Sequence, residues 1–135
     1  MSIARYIGVP YKSRGDQFDG ADCWGLARLF NRHELHKDLP DYKSLYVSAD
    51  DLKDAEQAFG DAAQPQAKGR ENWVEVDEPE LGDVLLFKQM GVVSHCGIWI
   101  DGIDFLHIRM GHQATLDRID DITWANRLHG IMRWN

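Results

Sequence analysis

The stretch Ser94-His95-Cys96-Gly97-Ile98-Trp99-Ile100-Asp101-Gly102-Ile103-Asp104-Phe105-Leu106-His107-Ile108 decides how this chain folds. Branched and aromatic residues run up to an Asp-Gly pair and resume beyond it, which predicts a β-hairpin turning at Asp101-Gly102. Side chains alternate between the two faces of a strand, so the register decides which of them meet. A two-residue Asp-Gly loop pairs Ile100 with Ile103 and sends His95 and His107 to opposite faces. A three-residue loop, Ile100-Asp101-Gly102 with Gly102 left-handed, pairs Trp99 with Ile103 and sets His95 directly opposite His107. The second register is the expected one. It gathers two imidazoles on one face, buries Ile98, Leu106 and Ile108 on the other, and turns Cys96 away from His95.

Working outward, Val84-Leu85-Leu86-Phe87 follows a Gly82-Asp83 turn, Val92-Val93 leads into the hairpin, and Ile131-Met132-Arg133-Trp134 reads as the last strand after a short helix near 122–127. The first half has a different period. Asp22 can cap a helix beginning at Cys23, with Leu26, Leu29 and Phe30 on one face. A second helix fits 50–59, where Leu52, Ala55 and Phe59 form the buried stripe and Gly60 stops it. The run 62–69 offers no periodic apolar face and reads as the joint between the halves. Helices first and an antiparallel sheet second predict an α+β domain.

The 135 residues suit one domain over 1–135, with 44% apolar and 27% charged side chains, an ordinary globular balance. Fifteen basic against 22 acidic residues give a net charge of −7, which argues against a nucleic-acid partner. Residues 38–61 carry seven of the acids and two bases, so the acidity is expected on one helical face that suits a basic partner. No stretch reaches the ~20 apolar residues that span a bilayer, and residues 1–6 lack the pattern of a signal peptide. Two cysteines are too few for a disulfide framework and read as thiols.

A cysteine becomes a nucleophile when its thiolate is stabilised, and the first turn of a helix does so through its free N–H groups and dipole. Cys23 stands there. In the expected register His107 can orient His95, and His95 can take the proton from Cys23. The plainer alternative is that Cys23 is a small buried hydrophobe and each histidine a packed core residue. His33 and His36 are three apart rather than the four of a zinc-peptidase helix and lack a third ligand, so they read as a solvated helix end. His112 and His129 fall in apparent loops. No metal or organic cofactor is called for.

Five ordered pieces carry a resemblance: Tyr6-Ile7-Gly8-Val9-Pro10-Tyr11, Asp22-Cys23-Trp24-Gly25-Leu26, Gly82 to Phe87, Ser94-His95-Cys96-Gly97-Ile98-Trp99, and Phe105-Leu106-His107. Together, with twelve residues between the histidines, they resemble the NlpC-type cell-wall peptidases, a papain-like superfamily with a Cys-His-His triad. The resemblance covers essentially the whole chain and implies a papain-like NlpC fold, N-terminal helices packed on a C-terminal antiparallel sheet. It implies Cys23 as nucleophile, His95 as base and then acid, and His107 as the residue orienting it. It further implies that the Tyr11 hydroxyl lies near the oxyanion, beside the backbone N–H of Cys23, and that Asp22 and Ser94 line the substrate site. Tyr11 could equally be an aromatic packed after a proline, and Asp22 only the helix cap. Many relatives carry Ser where this chain has Trp24, a departure from the pattern that removes the usual serine contact to substrate.

The implied activity is hydrolysis of peptidoglycan stem peptides, between D-glutamate and the diamino acid. The Asp22 to Leu26 run, with Leu39-Pro40-Asp41-Tyr42 and the closing Gly130-Ile131-Met132-Arg133, looks most like the small tail-tip members of long-tailed bacteriophages. That likeness implies other tail-tip proteins as partners and synthesis in the host cytoplasm followed by passage to the wall in the virion, which needs no secretion signal. Two alternatives stand beside it: a structural tail-tip or assembly component with little hydrolytic activity, and a secreted interbacterial amidase effector.

Overall fold

The computed structural model describes residues 3–40 and 73–135. The helix expected over 50–59, the joint at 62–69 and all but the first three residues of the acidic stretch lie outside them. A 3-10 turn, Ile3–Arg5, precedes a two-stranded ribbon of β1 (Asp16–Gln17) and β2 (Gly20–Ala21), and α1 (Cys23–Leu35) follows. The other strands are β3 (Trp73–Glu75), β4 (Val84–Gln89), β5 (Val92–Asp101), β6 (Asp104–His107), β7 (Thr115–Arg118) and β8 (Leu128–Trp134). A one-turn helix, α2 (Ile122–Ala125), links β7 to β8. These six strands form one antiparallel sheet in the order β3-β8-β4-β5-β6-β7, the α+β arrangement expected.

α1 begins where its cap dictates. Asp22 has extended backbone, and its Oδ1 accepts from the Gly25 N–H at 2.7 Å, satisfying one of the orphan donors of the first turn. Leu26, Leu29 and Phe30 are fully buried, the stripe read from the sequence. At the other end His36 takes the left-handed conformation (φ 53°) as C-cap, which fits the reading of His33 and His36 as an exposed helix end. Asn31 ties α1 to the sheet, its amide donating to the carbonyls of Ala27 and Gly82 at 3.0 and 3.1 Å.

The sheet has two apolar faces. Toward α1 it presents Val84, Leu86, Cys96, Ile98, Leu106 and Met132, which share one core with Cys23, Trp24, Leu26 and Phe30. On the far face Leu85, Phe87 and Phe105 pack beneath Trp124 of α2. Alternation along β4, β5 and β6 therefore feeds both sides, as expected of a sheet covered twice.

The central hairpin corrects the expected register. Its turn is the two-residue Gly102-Ile103, closed by the pair Asp101↔Asp104, with Gly102 at φ 59°. A bulge between Trp99 and Asp101 absorbs Ile100, and beyond it Trp99 pairs with Phe105 and Ile98 with Leu106. Trp99 thus meets Phe105 rather than Ile103, and His95 lies diagonal to His107 rather than opposite. The register differs by two residues, a whole side-chain period, so both histidines keep a common face. The partner strand is shorter than the 103–108 expected, and β8 begins at Leu128, so His129 lies on a strand rather than in a loop.

Candidate active site

α1 and the sheet carry the two halves of the site. Cys23 is the first residue of α1 and is 2% exposed. Its neighbour across the packed face is Cys96 of β5, and burial, with Cys23 beside it, pushes the Cys96 thiol well up. Both cysteines are free.

His95 and His107, 4% and 1% exposed, lie beside Phe87, Phe105 and Trp124. His95 stacks on the indole of Trp124 at 5.4 Å and 28°. The two imidazoles are bonded, His95 Nε2 to His107 Nδ1, at 3.0 Å. His107 Nε2 in turn meets Asp117 Oδ2 on β7 at 2.7 Å. Burial, then repulsion between its imidazolium and a charged His107 ring, Arg109 and Arg127, holds His95 well below the usual imidazole range. His107 is also pushed down by burial, opposed by the hydrogen bond and charge of Asp117, with Arg109 and His112 adding to the downward push. Both rings therefore rest neutral near pH 7. The structure brings His95 and His107 together, whereas Cys23 packs with Cys96 in the core between α1 and the sheet.

The remaining residues singled out from the sequence have definite surroundings. Asp22 is fully buried, and besides capping α1 its Oδ2 accepts from the Arg14 N–H at 3.0 Å. Tyr11 is half-buried against the main core, its backbone bridged to Ala21 and its N–H donating to the His112 carbonyl. Ser94 sits in a β5 bulge against β4 and donates its hydroxyl to Gln89 Oε1 at 2.8 Å. Trp24 donates its indole N–H to the Pro40 carbonyl at 2.9 Å, so it anchors the segment after α1. A pocket of about 210 Å³ opens beside the second histidine, lined by His107, Ile108, Arg109, His112, Gln113 and Thr115. Among the described residues no cluster of three or more potential metal ligands occurs, and no helix is long and apolar enough to cross a membrane.

Asp117 was missed by sequence reasoning. The signal available was the turn around Gly111: a hairpin there pairs His107 with Thr115 and so sets Asp117, two residues on, on the histidine face.

A helix-borne cysteine packed against an antiparallel sheet that carries a bonded histidine pair has the make-up of a thiol peptidase. The chain belongs to the NlpC/P60 family, whose family model matches residues 8–133. Among solved structures it is similar to the NlpC/p60 domain of the peptidoglycan hydrolase SagA, with 17% identity and a TM-score of 0.60, covering 96% of this chain and 91% of that one. It also resembles an NLP/P60-family protein, described as similar to lipoprotein, from Staphylococcus aureus (20%, TM-score 0.63, 96% of this chain). A further likeness is to an NlpC/P60-family protein from Bacillus cereus (19%, TM-score 0.64, 96% of this chain). The chain spans only 38% and 36% of those two proteins. At such identities the likeness is one of fold. No curated protein matches the chain.

Proposed function

We propose that this chain is a cysteine endopeptidase that hydrolyses peptidoglycan stem peptides at the bond between D-glutamate and the diamino acid. The observation that carries the reading is the 3.0 Å His95–His107 bond on the sheet that packs against the Cys23 helix. SagA, a structural relative, is itself named a peptidoglycan hydrolase, which supports the substrate class.

On this reading the reaction begins when His95 takes the proton of the Cys23 thiol. The thiolate attacks the scissile carbonyl carbon, and the Tyr11 hydroxyl and the backbone N–H of Cys23 receive the developing oxyanion. His95 returns the proton to the leaving amine, and the acyl-enzyme is hydrolysed by water that His95 deprotonates. Asp22 and Ser94 border the substrate on this reading, Asp22 while keeping its cap.

The setting that fits best is a bacteriophage tail tip. The chain is made in the host cytoplasm, built into the virion with other tail-tip proteins, and acts at the cell wall; the runs Asp22 to Leu26, Leu39 to Tyr42 and Gly130 to Arg133 support this. A non-hydrolytic part in the same tail is the second reading, favoured by the exposure of Cys23 and His95, only 2% and 4%.

Purified protein and a Cys23→Ala variant, incubated with peptidoglycan, separate the two. New amino termini followed by mass spectrometry are expected from the parent and not from the variant. Equal product from both removes Cys23 from the mechanism, and infective particles carrying Cys23→Ala establish the structural part.

A further inference from the structure

Resting on the thiol-peptidase reading of Cys23 and His95, we propose that Asp117 is a positioning residue of this site, the group that decides which nitrogen of His95 is free to act as the base. The hydrogens can be counted along the chain of contacts from Asp117 through His107 to His95. A carboxylate only accepts hydrogen bonds. At 2.7 Å from Asp117 Oδ2, His107 Nε2 must therefore carry the hydrogen. A neutral imidazole has one N–H, so His107 Nδ1 is left as an acceptor. Its neighbour at 3.0 Å, His95 Nε2, must then be the donor. That leaves His95 Nδ1 with a lone pair, the only form in which this ring can take the Cys23 proton while keeping its bond to His107.

When the proton moves from Cys23 sulfur to His95 Nδ1, His95 becomes an imidazolium with hydrogens on both nitrogens, and its Nε2–H remains bonded to His107. No other bond has to be rearranged. Asp117 thus fixes one tautomer before the reaction and places a negative charge beyond His107 during it. Without the carboxylate, His107 can carry its hydrogen on Nδ1 instead, which forces His95 into the Nδ1–H form and removes the base.

The position of Asp117 explains how it can do this without belonging to the cleft. It stands on the outermost strand, β7, opposite Phe105 and diagonal to His107. Its side chain is 38% exposed while the ring it meets is 1% exposed. A carboxylate at the rim keeps water on one oxygen and holds a buried imidazole with the other. This also bounds the effect. A triad aspartate buried from water contributes up to about 10⁴-fold in rate, whereas a water molecule can partly replace Asp117, so a loss of about 10–100-fold is expected.

The test joins a spectroscopic readout to kinetics on the full chain. Two-bond ¹⁵N–¹H correlation spectra of the imidazoles should show Nε2–H tautomers for both His95 and His107 in the parent protein. In Asp117→Ala the His95 and His107 signals should shift toward a tautomer mixture, with kcat on peptidoglycan fragments falling about 10–100-fold and KM unchanged. Asp117→Glu, which keeps an acceptor within reach, should restore most of both. An Nδ1–H tautomer on either ring of the parent, or an Asp117→Ala protein with unaltered tautomers and kcat, overturns the assignment. Unfolding is excluded as the cause by melting temperature, since an edge-strand side chain this exposed should shift it by only a few degrees. If the parent proves inactive on peptidoglycan, the substrate reading fails by itself, and the tautomers still decide the role of Asp117.

Discussion

Trp124 is where the buried histidines meet their electrostatic surroundings. The indole stacks on His95, lies edge-on to His107, and has the guanidinium carbons of Arg109 and Arg127 at 5.6 and 5.8 Å from its ring centroid. Cations gathered around an apolar pocket make a further positive charge there unfavourable, and burial adds to that. The consequence is a stability that depends on pH with a definite sign. Above about 6.5, the ordinary histidine value, both rings are neutral whether the chain is folded or not, and stability is full. As pH falls below that value the unfolded chain binds protons that the folded chain excludes, so stability is lost toward the depressed folded values. Melting temperature is expected to be flat above neutrality and to fall on acidification, with a shallower fall in His95→Phe. A fall equally steep in the variant would assign the slope to other groups. The placements of Cys23, His95 and His107 were legible because helix start, strand parity and a twelve-residue step are all written in local pattern. Asp117 was not. Thr115–Arg118 is mostly exposed, including Leu116 at 37%, so it lacks the apolar alternation that announces a strand.

At the scale of single elements, the helix that presents Cys23 is held by backbone contact as much as by its cap. A Cβ on Gly25 would stand 1.6 Å from the carbonyl oxygen of Gly15, so the 12–15 loop lies directly on the first turn of α1. In an exposed helix, Gly→Ala stabilises by about 1 kcal/mol. Here the sign reverses: Gly25→Ala is expected to destabilise by about 2 kcal/mol or more, through a forced shift of that loop. Chemical unfolding measures it, and a midpoint at or above that of the parent would contradict the packing. The hairpin shows the other side of sequence reasoning. Parity was readable because a two-residue Asp-Gly loop would have sent His95 and His107 to opposite faces. The exact partners were not, because the bulge at Ile100 moves them by a full period at no cost to either face.

Across the whole molecule, two pieces of the sequence that seemed to be separate motif fragments turn out to be one clamp. Asp83, just before β4, receives a two-pronged bond from Arg133 near the end of β8, with Nε to Oδ1 at 2.9 Å and Nη2 to Oδ2 at 2.7 Å. Glu80 adds a third contact at 2.6 Å. Asp83 is 2% exposed, so removing its partner strands a buried charge. Arg133→Ala is expected to cost about 3 kcal/mol, and Glu80→Ala much less because that carboxylate is 71% exposed. Urea unfolding of the two variants should separate them; equal losses would mean that the clamp acts through Arg133 packing alone. The overall α+β plan was legible for the same reason that this clamp was not. Periodicity reports layers, whereas a bond between residues fifty positions apart depends on which strands become neighbours.

The stacking of Trp124 on His95 has one more consequence, for how this protein can be watched. An imidazolium withdraws excited-state electron density from an indole it lies against, whereas a neutral imidazole does so far less. The emission of Trp124 therefore registers every proton that reaches His95, and subtracting the spectrum of a Trp124→Phe variant isolates that signal from the other four tryptophans. The chain thus carries its own optical gauge of protonation at His95.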